Sequence, residues 1–277
     1  MAHVGVMIEA QEGLTWGRWR RIVADAEALG FAALRVSDHC LSVFGVEGRE
    51  SLPAWTALTL AAEWTERIQL GPMVSPVTFY VPAVLGRHAR AVDELSDGRL
   101  IMGVGAGWNQ AEHERFGIPF PPTWRERFDL LEEGIRRIRE VFAGHDIPFL
   151  VGGGGRRRTR TIAAREAAEW NTGAPDPETY RAMSAALDER CRELGRDPSL
   201  VRRSLMKGYV LGRDAGELRE RAVRLAEVVP RLRAGDPDAV LAAARERWFV
   251  GTPDEVVAQM RPYAESGVDL FVLQHFL

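Results

Sequence analysis

Cysteine is scarce in this chain. Cys40 and Cys191 are its two, far apart in sequence. Two isolated cysteines make no disulfide framework, and a chain of this size does not need one. An excess of one charge is also missing: 36 basic residues against 39 acidic ones leave a formal net charge of −3. No basic domain stands out, so nucleic acid is not an expected partner. No apolar run approaches the roughly 20 residues that a membrane span requires. The first ten residues carry no basic segment ahead of an apolar one, so no signal peptide is read and a cytoplasmic location is expected. Metal-ligand spacing is absent too. His3, His88, His113, His145 and His275 stand at no ligand interval from acids or cysteines, and no HExxH occurs. Ser75 and Ser204 lack a nucleophile-elbow context.

What is present is alternation. The 277 residues, 46% of them hydrophobic, suffice for a large core and suit one α/β barrel, which typically takes about 250 residues. Strand patterns fall at 4–9, 31–37, 68–74, 100–104, 148–151, 170–172, 204–211 and 268–274. Helical patterns fall between them at 15–29, 55–64, 82–95, 125–142, 159–168, 178–194, 214–229 and 253–266. Thr15 and Thr252 are placed to cap helix starts, Gly30 to end a helix, and Pro82 to sit in a first turn where its missing N–H costs nothing. Residues 231–248 are irregular and read as an insertion before the last helix–strand unit. Strands alternating with helices imply a parallel sheet, because parallel neighbours need a crossover. Eight of them imply a closed (β/α)8 TIM barrel; an open doubly wound sheet is the alternative. No linker or low-complexity segment divides the chain, so 1–277 is read as a single domain.

In such barrels the site lies at the C-terminal ends of the strands. After the second strand come Ser37, Asp38 and His39, an acid and an imidazole that either handle protons or merely close the loop. After the third come Val74 and Ser75, in a run of small and polar residues that suits backbone contact with a flat ligand, although by itself it reads first as a plain loop. After the fourth, GVGAGWN at 103–109 lets backbone approach a ligand closely. It lacks the strand-one location and following acid of the dinucleotide fingerprint. Trp108 either stacks on a ring system or simply packs. After the fifth, Gly152, Gly153, Gly154 and Gly155 run into Arg156 and a helix start, exposing successive N–H groups where an anion is favoured; a solvated basic loop is the plainer alternative.

In order and spacing these segments resemble the luciferase-like monooxygenase family. They are FAALRVSDH at 31–39, RIQLGPMVSP at 67–76, LSDGRL at 95–100, and GVGAGWN at 103–109 with Glu112, His113 and Glu114 following. The series continues with GIPF at 117–120, PFLVGGGG at 148–155, GTPDEV at 251–256 and AESGV at 264–268. The resemblance implies a barrel that binds FMN, reduced FMN or coenzyme F420 at its mouth. Ser-Asp-His is similar to the deazaflavin-using branch, which places Asp38 and His39 at the ring system. It further implies a non-proline cis peptide near Met73-Val74, a cofactor lining at Met73, Val74, Ser75, Gly105, Ala106 and Gly107, and a phosphate site at 152–156. The activity implied is hydride transfer between coenzyme F420 and a small organic substrate, with His39 moving the proton, Asp38 orienting it, and Phe79 and Trp108 walling the substrate pocket. An FMN-dependent monooxygenase served by a separate reductase, or a non-catalytic flavin-binding barrel, are the alternatives, and a homodimer is expected. Two departures stand out. Segment 143–147 is short where family members carry part of a lid, which implies a more open site or omitted residues. The chain also stops at Leu277, soon after its last strand, which implies that a full eighth helix is missing or replaced by a partner's surface.

Overall fold

A computed structural model describes residues 2–155, 157–232 and 236–276. The eight expected strands are all present: β1 (His3–Ile8), β2 (Ala33–Val36), β3 (Gln69–Pro72) continuing as β4 (Ser75–Pro76), β5 (Met102–Gly105), β6 (Phe149–Gly152), β7 (Glu169–Thr172), β8 (Arg202–Leu211) and, after one further strand, β10 (Leu270–His275). Every pairing is parallel, in the order β3-β2-β1-β10-β8-β7-β6-β5-β4. A bridge between Leu70 and Leu100 closes the ring, so the barrel holds and the open sheet does not. β3 and β4 are one strand interrupted at Met73-Val74, whose peptide bond is cis, at the position the resemblance implied.

The helices follow from stripes of apolar residues that must leave water. Those of the first half are α1 (Trp16–Ala28), α2 (Ala54–Trp64), α3 (Pro82–Leu95), α4 (Gln110–Phe116) and α5 (Trp124–Phe142). The second half adds α6 (Arg158–Glu166), α7 (Pro177–Glu193), α8 (Ala215–Val228), α9 (Pro237–Arg245) and α10 (Pro253–Glu265). Thr15 caps α1 by accepting from the Arg18 N–H, and Glu255 accepts from the Thr252 N–H at the start of α10. Thr123 and Glu126 form a reciprocal capping box at α5. Leu131, Ile135, Ile138 and Phe142 of α5 share the main core with Leu58, Leu85, Val104 and Trp170. A smaller core of Met7, Ile101, Leu150, Leu270 and Val272 lies apart from it.

Two regions depart from the alternating pattern. α4 is one extra helix, seven residues long, on the loop after β5. The stretch at 231–248 is not formless, since half of it is α9, and it leads into a further strand, β9 (Phe249–Gly251), that pairs with β8 off the barrel path. Together with α8 these form a satellite core around Leu225, Val240, Leu241 and Trp248. Phe44 and Phe276 pack against it, with the Phe276 and Trp248 rings 4.9 Å apart.

At the N-terminal end of the barrel Arg35 and Glu169, both without side-chain exposure, pair at 3.4 Å, and Arg202 joins the same carboxylate. Burial pulls Arg35 down to about 10 although Glu169 opposes this.

Candidate active site

The C-terminal strand ends converge on two connected cavities. The inner one, about 260 Å3, is lined by Glu9, His39, Val43, Phe79, Trp108, Met206 and Gln274 among others. The outer one, about 440 Å3, runs along Gly105, Ala106, Gly107, Trp124 and Phe128 to Gly152, Gly153, Gly154 and Gly155. Met73, Val74, Gly107, Trp108 and Met206 belong to both. The Met73-Val74 step is therefore a ridge with the imidazole on one side and the glycine tract on the other.

The glycines around that ridge have a packing reason as well as an exposed backbone. A Cβ on Gly105 would lie 2.6 Å from one Val74 methyl, and one on Gly152 would lie 2.9 Å from the other. Val74 can stand between β5 and β6 only because both neighbours lack side chains. Beyond it, Gly153 takes φ +122°, a conformation that only glycine adopts freely. The chain then enters the first turn of α6, which has no side-chain cap, so among the described residues no capping side chain takes the N–H groups there.

His39 sits at the inner wall, with 19% of its side chain exposed. Its Nδ1 lies 2.8 Å from a Glu112 oxygen, and among the described residues Nε2 has no hydrogen-bond partner. The Trp108 ring meets it edge-on at 5.6 Å. Burial disfavours the imidazolium, but the hydrogen bond and charge of Glu112, followed by the charges of Glu9 and Asp38, outweigh it and raise its pKa above 6.5. Glu112 is fully buried, and its second oxygen accepts from the Cys40 and Leu41 N–H groups at 2.7 and 3.1 Å. Burial works against its charge, yet His39, followed by these two backbone donors, leaves its pKa below 4.5.

Asp38 is placed differently from its neighbour. Its carboxylate is buried, accepts from Ser75 Oγ at 2.5 Å and from the Tyr80 hydroxyl at 3.0 Å, and lines neither cavity. Burial, with the hydroxyls opposing, raises its pKa. Asp38 and Ser75 thus tie β2 to β4 behind the site. Trp108 is exposed over both cavities and is not packed away. Phe79 is half-buried and rests on His113 at 4.7 Å. Arg156 lies outside the described residues. Arg158 is turned away onto Asp129 and Glu132 of α5.

Glu9 and Glu112 went unselected as site residues in the sequence. Glu112 stood inside a family motif, but nothing local marks it as a partner of His39. Glu9 directly follows β1, and that position alone could have drawn notice; its oxygens accept from Gln11 and Gln274. Among the described residues no group of three or more His, Cys, Asp or Glu could hold a metal ion, and no helix is long and apolar enough to cross a membrane.

Comparison with known proteins bears on this arrangement. An F420-dependent glucose-6-phosphate dehydrogenase of Amycolatopsis mediterranei is 37% identical over 125 residues, which is 45% of this chain and 37% of that relative. The chain thus matches less than half the length of that relative. An F420-dependent hydroxymycolic acid dehydrogenase of Mycobacterium tuberculosis is 27% identical over 304 residues, covering 99% of this chain and 79% of the relative. Among solved structures, an F420-dependent secondary alcohol dehydrogenase in complex with an F420-acetone adduct superposes with a TM-score of 0.82 at 18% identity, covering 99% of this chain and 93% of the other. A long-chain alkane monooxygenase superposes at 0.77 with 15% identity, covering 99% and 87%; both likenesses speak for the fold. The family model for luciferase-like monooxygenases matches residues 1–270, and the chain belongs to that family.

Proposed function

We propose that this protein is an oxidoreductase that uses coenzyme F420 to move a hydride to or from a small organic substrate, an alcohol in one direction and a carbonyl compound in the other. The observation that carries this reading is the placement of His39 across the Met73-Val74 ridge from the Gly152–Gly155 tract. The residues fit an elongated coenzyme with a flat head and a phosphate. The ridge gives an apolar floor, and Gly154, Gly155 and the start of α6 supply N–H donors for the phosphate, the Gly153 N–H being taken by the Asn171 carbonyl at 2.9 Å. Bound there, a deazaflavin supplies two-electron hydride chemistry without oxygen activation.

The chain's own residues do the rest. His39 Nε2 accepts the hydroxyl proton as an alcohol is oxidised, and returns it when a carbonyl is reduced. Asp38, through Ser75 and Tyr80, holds the strand ends in place behind the ridge. Phe79 and Trp108 wall the substrate, with Met206 and Val43 completing the apolar side. F420-dependent relatives support the coenzyme and the reaction class. Substrates named for them, glucose 6-phosphate and hydroxymycolic acid, belong to those proteins.

Separate titrations with coenzyme F420 and with FMN test the reading. F420 binding in the micromolar range or tighter is expected; FMN binding without F420 binding would replace it with the oxygenase alternative and its separate reductase. His39→Ala should bind F420 normally and lower the hydride-transfer rate by about 10²–10⁴-fold. A homodimer and a cytoplasmic location go with this reading. Val81 and Val84, exposed at the start of α3, are apolar surface that a second copy could cover, which light scattering on the purified protein decides.

A further inference from the structure

His39 can act as a base through Nε2 only if its hydrogen resides on Nδ1, and the structure contains a device for keeping it there. Glu112 offers one oxygen to His39 Nδ1 at 2.8 Å and the other to two loop N–H groups, Cys40 and Leu41. An ionised carboxylate only accepts, so every group that meets it must donate, Nδ1–H included. We propose that Glu112 is the positioning residue for the proton chemistry of this site: it fixes the imidazole in the Nδ1–H form, turns the Nε2 lone pair toward the inner cavity, and pins the loop that carries His39. This deepens the proposed function and rests on it.

The step served is balanced. In alcohol oxidation the O–H bond breaks and its proton goes to Nε2. The carbinol C–H bond gives its hydrogen with both electrons to the deazaflavin, and the C=O bond forms. The charged groups that act on the imidazole are Glu112 from α4, Glu9 from the end of β1, and Asp38 from its own strand end. The three carboxylates all favour the imidazolium, so the protonated product of the step is stabilised where it forms. Cys40 is pushed up to about 11 by burial and by Asp38 and Glu112, so it adds no competing anion near neutrality.

Glu112→Gln tests this, because an amide cannot accept at both ends. With its oxygen kept on the loop N–H groups, its NH2 meets Nδ1 and forces the hydrogen onto Nε2. Nitrogen NMR of the protein without coenzyme should show neutral His39 as the Nδ1–H tautomer in the wild type and as Nε2–H in the variant. With F420 and a secondary alcohol, the variant should keep its F420 affinity, lose about 10²-fold or more in rate, and move the acidic limb of its pH profile to lower pH. A wild-type His39 found as Nε2–H would overturn the proposal even if the variant failed to fold. So would a variant slowed equally at every pH with the Nδ1–H tautomer retained, since Glu112 would then only pin the loop. If the wild type neither binds nor reduces F420, the proposed function falls, while the NMR arm still decides the role of Glu112.

Discussion

The tie between Glu112 and His39 sets a pH window for stability as well as for chemistry. His39 is raised above 6.5 by folding, so its contribution is complete below about pH 6.5 and fades as pH climbs through the raised value. Glu112 is lowered below 4.5, so its contribution is complete above about pH 4.5 and fades on acidification. The stability difference between wild type and Glu112→Gln should therefore peak between about pH 4.5 and 6.5, measured by urea unfolding across pH; a flat difference would mean the pair is not coupled. A second expectation concerns Gly105, whose added Cβ would press on a Val74 methyl. Gly105→Ala should destabilise by about 1–3 kcal/mol through overpacking and weaken F420 binding by displacing the ridge. Gly30→Ala, where φ is +75° but the space is open, should cost only about 1 kcal/mol and leave binding intact. At this scale His39 and the glycine tract were legible in the sequence because residue type and strand-end position announce them. Asp38 was legible as a residue but not in its direction, since which way its carboxylate turns depends on Ser75 and Tyr80 from other elements.

Among the elements, the loop between β2 and α2 shapes the inner cavity, and it is clipped from outside. Buried Glu12 holds Arg49, the Ser42 hydroxyl and the Val43 N–H, and Val43 lines the cavity. Arg49→Met leaves the Glu12 carboxylate with two donors, so a loss of about 1–3 kcal/mol is expected. Cleavage within residues 39–53 under limited proteolysis should become faster, and an unchanged rate would show that the loop is held elsewhere. Helix ends were readable because caps act within three or four residues: Thr15 and Thr252 stand at their helix starts as expected. α9 and β9 were not readable. Their apolar residues find partners on α8, Phe44 and Phe276, and such a satellite core leaves little periodic trace in a short segment.

For the molecule as a whole, the two ends of the barrel divide the work. The C-terminal end keeps its strand tips open for a ligand, and the N-terminal end is closed by Arg35, Glu169 and Arg202. Among the described residues Arg35 Nε and Glu169 Oε1 have no partner, so the cluster has little to spare. Glu169→Gln should destabilise by about 3–5 kcal/mol, because it strands buried guanidinium charge, yet leave F420 affinity unchanged at temperatures where the variant is folded. A matched loss of affinity would mean that the two ends are coupled through the strands.

What the amino-acid order determined by itself was the alternation of strand and helix, the strand ends at which chemistry must lie, and the family motifs along nearly the whole chain. Each is a local pattern, fixed by side-chain periodicity and turn residues within a few positions. What only the tertiary structure decided was which of those ends share a cavity and which side chains meet there. Glu112 and His39 are 73 residues apart, on different strand–helix units. Their contact exists because closure of the parallel strands folds the loops after β2 and β5 over one mouth, and no local periodicity encodes the distance between two loops.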